Sequence, residues 1–441
     1  MEKFLFKKIS LWFVLLLFVL GVTSSVIFSS MVRHVVKGGT LLGQWTDIVD
    51  DISKFPGKII TLARSNSTKI DPQISDTNLS KSLNILDKEK FKNENGYLLV
   101  STYDYENGSF VLLYSLSEDK EIYRWIPPIN EIHRRSINFT EGINSRRYYR
   151  SQNPVLMKDG SIVFSSGEGP LVKISKCNEI EWLIPEIYHH SIQKFDGENL
   201  IYAVKRLEKN ENNKFIWDDG FAIIDSKTGK KMAEYSMEKI LMQNPDKYRG
   251  ILYGIGEHEL DRYHVNEAYP INVSDEFVKR EDVLISIRNL SMVMLYRPSE
   301  NKIIWSKIGP WLNQHNVKYL GSGKISVFGN NIIRGLPQES EFMLDHSDIY
   351  IYDMKNESFE RPYKKVMKNS RQRSGGLFQM LENGDGFVEL SSDITVKRLS
   401  KNNVVWEYIH YLGKSKKGNL NWVRYLSKDQ FDLNFIKTKC Q

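Results

Sequence analysis

The chain repeats one β-rich unit along most of its length. Each copy contains a turn with Gly or Asn, an apolar strand, a short break, a second strand and a polar turn, and most copies end in an aromatic residue. The first copy ends at Trp125 and the sixth at Trp406, which stand 281 residues apart, so the mean period is about 56 residues. Short strands separated by turns are typical of all-β folds. A period of about 50 residues with several strands per copy is typical of propeller blades.

The repeat predicts an all-β chain in which residues 91–430 form a six-bladed β-propeller and residues 431–441 form a C-terminal tail. Helical solenoids need a helical periodicity that these segments lack, and a β-sandwich would not need six similar units. Hydrophobic residues make up 41% of the 441 residues and aromatic residues 12%, enough for a large core. The first strand of each blade lies innermost, so the residues that lead into it line the mouth of the central channel.

The N-terminal segment has a different composition. Residues 9–32 form a 24-residue run without a charge. As a helix this run would be roughly 36 Å long, enough to cross a hydrocarbon core of about 30 Å. We therefore predict that residues 1–32 form an uncleaved transmembrane anchor in the inner membrane, with the propeller on the extracytoplasmic, periplasmic side. A cleaved secretory signal is the alternative, although no A-x-A site follows the run. Residues 33–90 are predicted to form a helical stalk and a polar linker.

Charge and cysteine content limit the classes of partner. Lys and Arg total 61 and Asp and Glu total 54, and the resulting net charge of +7 is too small for a dedicated nucleic-acid-binding protein. Cys177 and Cys440 are too few for a disulfide framework or a Cys-built zinc site, and the sequence leaves open whether they pair. No G-x-x-x-x-G-K-[ST] loop is present, so no nucleotide donor is expected. The oligomeric state, including a homo-oligomer, is left open.

Histidines recur at the predicted channel mouth. His189, His190, His264 and His315 lie in or just before the leading strands of three successive copies. A single histidine beside a strand is usually structural, but three copies in phase predict imidazoles that point at one axis. Three histidines could bind zinc, yet no carboxylate or cysteine stands with them at ligand spacing, so no metal is expected.

Arginines and amides follow the same pattern. Arg288 ends a leading strand, and Gln152 and Ser374 stand near the matching positions of the second and sixth copies. Imidazole, guanidinium and amide groups together suit an oxyanion such as sulfate or phosphate. The arginine runs before the second and sixth copies are equally compatible with solvated loop charge; they are Arg134, Arg135, Arg146, Arg147, Arg150, Arg371 and Arg373.

Four motifs together resemble the bacterial arylsulfate sulfotransferase family, the arylsulfotransferase-like proteins of the cell envelope. They are YHHSI, HVN followed by a strand ending LISIRN, ENKIIWSKIGPW, and QHNVKYLGSGKISVFGNN. The resemblance covers residues 150–410, and the order and spacing of the motifs are specific. It implies a six-bladed propeller whose channel holds the active site. It also implies transfer of a sulfuryl group from a small-molecule aryl sulfate donor to a phenolic acceptor through a sulfated histidine, without a cofactor.

The resemblance also implies residue roles. His315 matches the transiently sulfated histidine, and His264 and Asn266 match a His-x-Asn pair that contacts the sulfuryl oxygens. Arg288 matches the arginine that neutralises these oxygens, and His189 or His190 matches a histidine near the phenolic oxygen. The further candidate substrate-binding residues are Ser374, which is similar in position to a hydroxyl residue of the last blade, Arg150 and Arg373.

The chain departs from the family pattern at Asn316, Glu267 and Gly329-Asn330-Asn331, where the family often has Asp, Ser and Asp-Asn-Gly. These departures are compatible with altered substrate choice. They also leave open an alternative function, a non-catalytic envelope propeller that acts as a binding or assembly scaffold. The phased histidines and arginines favour the enzyme, because a scaffold does not need them.

Overall fold

The chain divides into two compact units. One comprises Met1–Ser75 with Thr140–Ser145, and the other Asp76–Phe139 with Arg146–Gln441. The computed structural model describes residues 10–36, 49, 82–104, 108–136, 149–211, 214–245, 261–333, 342–343, 345–412, 416–428, 433–437 and 440.

In the first unit the main described element is helix α1, Leu11–Val36. Its stretch Leu11–His34 has a mean hydropathy of 2.5, and none of it is buried. The helix is long and apolar enough to cross a membrane, a property that an anchor and a signal sequence share. Most of the predicted stalk and linker, residues 33–90, lies outside the described residues.

The second unit is mainly β. Its short helices are α2 Lys88–Phe91, α3 Ile129–Arg135, α4 Met237–Met242, α5 Lys364–Met367 and α6 Asn434–Lys437. Its strands are β1 Leu83–Ile85, β2 Tyr97–Asp104, β3 Gly108–Ser115, β4 Lys120–Trp125, β5 Ser151–Leu156, β6 Ile162–Ser166, β7 Gly169–Ile174, β8 Ile180–Phe195, β9 Leu200–Glu211, β10 Lys214–Asp225, β11 Lys231–Ser236, β12 Val265–Pro270, β13 Val283–Ile287, β14 Met292–Arg297, β15 Lys302–Ile308, β16 Val317–Gly321, β17 Lys324–Gly329, β18 Ile332–Ile333, β19 Phe342–Met343, β20 Asp348–Asp353, β21 Ser358–Glu360, β22 Leu377–Met380, β23 Gly386–Leu390, β24 Thr395–Leu399, β25 Val404–Tyr408, β26 Tyr411–Leu412, β27 Lys416–Lys417 and β28 Arg424–Leu426.

The strands form a propeller-like arrangement of antiparallel sheets. Four separate sheets have the orders β28-β2-β3-β4, β12-β13-β14-β15, β16-β17-β20-β21 and β1-β25-β24-β23-β22. A seven-stranded sheet runs from β5 to β11 in sequence order, and β18-β19 and β26-β27 form two small ribbons. The mainly β class is therefore confirmed. The separate sheets give four blades, and a count of six stays a prediction.

The hydrophobic core lies between neighbouring sheets. The cluster that joins the β12–β15 sheet to the β16-β17-β20-β21 sheet includes the buried side chains of Leu284, Val293, Trp311, Val327 and Tyr352. Because both faces of a sheet are covered in this way, an inner strand reads as a continuous apolar run instead of an alternating one. In β3, for example, all eight residues are buried. The repeated aromatic positions lie in the later strands of their sheets, as Trp125 does in β4 and Trp406 in β25.

Strands from both ends of the second unit are paired into its sheets. β28 near the C-terminus pairs with β2, with Tyr97 opposite Leu426, and β1 pairs with β25. Strand β1 lies inside the segment predicted as linker, so the paired strands begin before residue 91. Cys440 forms a disulfide with Cys177, and their Cα atoms are 5.6 Å apart. The pairing that the sequence left open is thus present in the structure.

The disulfide closes a long loop, since its cysteines are 263 residues apart in sequence. We expect Cys440→Ser to lower the free energy of unfolding by about 2–4 kcal/mol, because the cross-link restricts the unfolded chain. Denaturant unfolding with and without a reductant measures the loss. The reductant should weaken the wild type to the level of the variant and leave the variant unchanged. Equal stability of oxidised wild type and variant would contradict this assignment.

Candidate active site

The inner strands of several sheets begin with the same backbone kink. His190 and His264 have φ angles of 55° and 50°, in the left-handed region that non-glycine residues seldom adopt. His190 lies where the register of β8 shifts against β9, and His264 directly precedes β12. Asn153 in β5 and Trp422, shortly before β28, have φ angles of 52° and 63°. Such strained positions persist only where the surrounding structure holds them, and they concentrate at functional sites.

The histidines predicted from the repeat meet at this level. The ring centroid of His190 lies 4.8 Å from that of His264, 6.1 Å from that of His315 and 5.4 Å from that of Trp422. All three histidines are buried. His189 is fully buried behind His190, with their Nδ1 atoms 2.5 Å apart. Of the two adjacent histidines, His190 therefore contacts the other members of the cluster most directly.

Hydrogen bonds orient the imidazole of His315. Its Nδ1 lies 2.7 Å from Oδ1 of Asn330. The Nδ2 group of Asn330 already donates to the carbonyl oxygens of Gln372 and Gly375, so its oxygen faces the ring. Nδ1 of His315 must then carry the proton, and Nε2 keeps its lone pair. The N–H of Gly375 donates to Nε2 over 2.9 Å.

Two aspartates accompany the histidines, and the expectation that no carboxylate joins them was wrong. Oδ2 of Asp261 lies 2.5 Å from Nδ1 of His264. Oδ1 of Asp219 lies 3.4 Å from Nε2 of His189, close but without hydrogen-bond geometry, and its Oδ2 accepts the N–H of Val265 at 2.8 Å. Asp219 lies in β10, far from the histidines in sequence, and only the D-x-x-H spacing of Asp261 and His264 hinted at such a pair.

The carboxylates are balanced by arginines. Ligand atoms of Asp219, Asp261 and His264 lie within 4.8 Å of one another, which is compact enough for a metal ion. Arg206, however, lies 3.3 Å from Asp219 and 3.9 Å from Asp261. Nη2 of Arg288 is 4.0 Å from Oδ2 of Asp261. Two guanidinium groups thus place positive charge beside the buried carboxylate of Asp219 and the half-buried carboxylate of Asp261.

The local environment favours the neutral form of His190 and His264. Burial lowers the pKa of His190 well below its usual range, and the neighbouring histidines and Arg288 lower it further. Burial also lowers the pKa of His264, more than the hydrogen bond to Asp261 raises it. Burial alone would raise the pKa of Asp219, but the interactions with His189 and Arg206 hold it well below the usual range. At neutral pH the site therefore holds uncharged imidazoles at His190 and His264 beside the ionised carboxylate of Asp219.

The other predicted site residues divide into two groups. Arg288 is largely buried, and its Nε donates to Asn289 Oδ1 at 3.0 Å. Asn266 is buried and donates to the carbonyl oxygen of Gln314, while its own Oδ1 has no hydrogen-bond partner in the described part of the chain. The second group, Arg150, Arg373 and Ser374, is exposed.

The candidate arginine run has the same surface character. Arg134 and Arg135 contact Glu131 on the surface of α3, which is the solvated arrangement the sequence left open. Arg146 and Arg147 lie outside the described residues. Asn153, and not Gln152, occupies the kinked position of the second copy. Trp422, which packs against His190, carried no sequence signal.

The propeller-like β fold thus brings buried histidines and Arg288, which follows β13, together in one cluster. A family model described as Arylsulfotransferase (ASST) matches residues 157–411, more than half of the chain. The chain belongs to this arylsulfotransferase family, as the motifs predicted, and membership suggests a sulfotransferase activity. No curated protein is significantly similar to the chain.

Solved structures resemble the chain only distantly. A protein of unknown function from Bacteroides caccae is 11% identical, with a TM-score of 0.45, over 76% of this chain and 100% of that one. The periplasmic gluconolactonase of Pseudomonas aeruginosa is 8% identical, with a TM-score of 0.42, over 75% and 99%. A catalytically inactive virginiamycin B lyase from Staphylococcus aureus is 12% identical, with a TM-score of 0.40, over 77% and 99%. Similarity at this level does not extend to function.

The lowered pKa of His190 has a consequence for stability. The unfolded chain, with a histidine pKa of about 6.5, takes up the proton before the folded chain does. The stability that His190 contributes is therefore complete above about pH 6.5 and is lost as the pH falls below that value. We expect His190→Asn, which tolerates the left-handed backbone, to reduce the fall in melting temperature between pH 7.5 and pH 5.5, two values chosen to bracket the histidine pKa.

Thermal denaturation across that pH range measures the effect. The half-exposed His410 lies outside the cluster, so His410→Asn serves as the control and should retain the wild-type pH dependence. An unchanged pH dependence in His190→Asn would mean that His190 is not held neutral by its surroundings.

Proposed function

We propose that the chain is an arylsulfate sulfotransferase that moves a sulfuryl group from an aryl sulfate to a phenol through a sulfated His315. The observation that carries the proposal is the pair of hydrogen bonds on His315. Asn330 accepts the Nδ1 proton, so Nε2 is the unprotonated nitrogen, and its lone pair, which accepts the N–H of Gly375 in the free protein, becomes the nucleophile when that hydrogen bond opens. A neutral, oriented imidazole is a competent nucleophile.

In the first half-reaction Nε2 of His315 attacks the sulfur of the donor. The N–S bond forms as the S–O bond to the aryl group breaks, and the phenolate leaves with the bonding electrons. The His190–His264 pair, whose Nε2 atoms are 3.4 Å apart, protonates the phenolate. The pKa values of His190 and His264 are both lowered in the free protein, so the pair takes up this proton from solvent when the ester binds. The negative charge of the ester offsets the nearby positive charge and so favours the protonated pair.

In the second half-reaction the acceptor phenol returns a proton to the same pair. Its oxygen attacks the sulfur, the N–S bond breaks, and His315 recovers its lone pair. Charge on the sulfuryl oxygens is met by Arg288 and by the N–H of Gly375, which loses its acceptor once Nε2 is sulfated. Asn266, Ser374, Arg150 and Arg373 are proposed as further substrate contacts, the last three at the exposed rim.

The same proposal includes the architecture around the site. Strand β8 has 16 residues, of which the first part pairs with β7 and the last part with β9. We count the seven-stranded sheet as two blades that share β8, which gives six with the four separate sheets. Helix α1 would anchor the chain in the membrane, with the propeller in the periplasm. The disulfide between Cys177 and Cys440 supports an oxidising compartment.

The central test is His315→Ala. We expect this variant to lose turnover of a chromogenic aryl sulfate with a phenol acceptor, because it removes the Nε2 lone pair that Asn330 orients for attack. The wild type should follow ping-pong kinetics, and mass spectrometry after incubation with donor alone should detect one SO₃ group on His315. His410→Ala serves as the control and should keep the wild-type rate. A wild type that gives neither adduct nor turnover would favour the scaffold function instead.

A second test addresses the proton relay. Asp261→Asn keeps the size of the side chain but removes the charge that stabilises a protonated His264, and we expect kcat to fall by about 100-fold or more with little change in KM. Steady-state kinetics over a range of pH measures both parameters. A wild-type kcat and pH profile in this variant would exclude the Asp261–His264 pair from the reaction.

A further inference from the structure

A second group of polar side chains lies further along the inner strands than the histidine cluster. Gln193, Glu267 and Lys318 each stand three residues after a histidine of the cluster, in β8, β12 and β16. Three residues of strand correspond to about 10 Å. Arg424, the first residue of β28, belongs to the same group. We call Gln193, Glu267, Asn316, Lys318 and Arg424 the inner layer.

Neutral groups satisfy the carboxylate of this layer. Oε1 of Glu267 accepts the Gln193 amide at 2.9 Å, and Oε2 accepts the Asn316 amide at 2.6 Å. Burial raises the pKa of Glu267. Its contacts therefore come from uncharged amides, and it forms no ion pair with a described residue.

Neutral acceptors likewise surround the guanidinium of Arg424. Its Nε donates to Pro154 O at 2.7 Å, its Nη2 donates to Asn153 Oδ1 at 2.5 Å and to Ile192 O, and its Nη1 lies 3.4 Å from Gln193 Oε1. Burial lowers its pKa to about 10. Arg424 is thus held in place by dipoles and has no counter-charge in contact.

Lys318 is the least satisfied member of the layer. Its side chain is half-buried, yet within the described part of the chain it makes no hydrogen bond or ion pair. Burial lowers its pKa to about 8, with Arg424 adding to the effect and Glu267 opposing it. The layer therefore holds two cationic groups against one carboxylate, and neither cation is paired.

We propose that the inner layer binds the oxyanion group of a small ligand, a carboxylate or a sulfate, through Lys318 and Arg424. An anion here would pair both cations and satisfy the free ammonium of Lys318. Two sources fit this chemistry. The anion is either a free inorganic ion or the carboxylate of a phenol whose hydroxyl reaches the histidine cluster about 10 Å away. The site does not depend on sulfuryl transfer.

Calorimetry on the full chain in detergent, at constant ionic strength, tests the proposal without turnover. One arm titrates inorganic sulfate. The other titrates a phenol with a para carboxymethyl group and its uncharged amide counterpart. We expect Lys318→Met to weaken binding of the anionic probe by about tenfold or more, because a charge-assisted contact is lost. Lys324→Met removes an exposed lysine at the start of β17 and should bind as the wild type does.

Lys318→Arg retains the charge and should retain binding, which separates the effect from misfolding. Loss of sulfate binding alone identifies a free anion, and selective loss of the carboxylated phenol identifies a substrate group; both support the site. Equal affinity of Lys318→Met and wild type for both anionic probes, or no binding of either by the wild type, would overturn it. Because no measurement requires turnover, a failed sulfotransferase assay leaves this result intact.

Discussion

The pairing of β28 with β2 joins the last described strand to the sheet that contains β2, β3 and β4, and the site depends on that closure. Trp422 lies two residues before β28 and packs against His190, while Arg424 at the start of β28 holds the backbone of Ile192. The strand that closes the sheets is therefore also a wall of the site. A propeller-like fold can gather histidines from separate sheets only when its ends are fixed, because no local contact within one sheet brings them together.

Glu389 links two further parts of this wall. It is buried in β23, where one oxygen accepts the hydroxyl of Ser391 at 2.9 Å and the other accepts the N–H of Val423 at 2.5 Å. Ser391 in turn accepts the N–H of Gly376. Gly376, which follows the Gly375 that donates to His315, is thus linked through Ser391 to the same carboxyl group that holds the segment carrying Trp422. Burial raises the pKa of Glu389 to about 7, the cost of placing a carboxyl group where it can reach both segments.

The sequence repeat predicted those features of the structure that recur from one copy to the next. The repeat located the strands, and the phase of His190, His264 and His315 within it predicted that their rings meet. The repeat did not predict the carboxylates of the site, because their contacts do not recur between copies. Asp219, for example, lies in β10 and accepts the N–H of Val265, 46 residues away. The partner of Cys177 is 263 residues away, and no spacing rule reports such a distance. The family motifs end near residue 410, so they could not predict the contacts of Trp422 and Arg424 with the site.

The different roles proposed for His264 and His315 follow from their hydrogen-bond partners. His264 faces the carboxylate of Asp261, which stabilises a positive charge on the ring, whereas the ring nitrogens of His315 are held by the neutral amide of Asn330 and the N–H of Gly375. In the proposed reaction a proton is therefore best held on the His264 side. The positive ring charge of a sulfated His315 would be balanced by the negative charge of its own sulfuryl group, and transfer to the acceptor would return the ring to its neutral form. Two imidazoles in one cluster thus acquire different chemistry from the charge of a single neighbouring side chain.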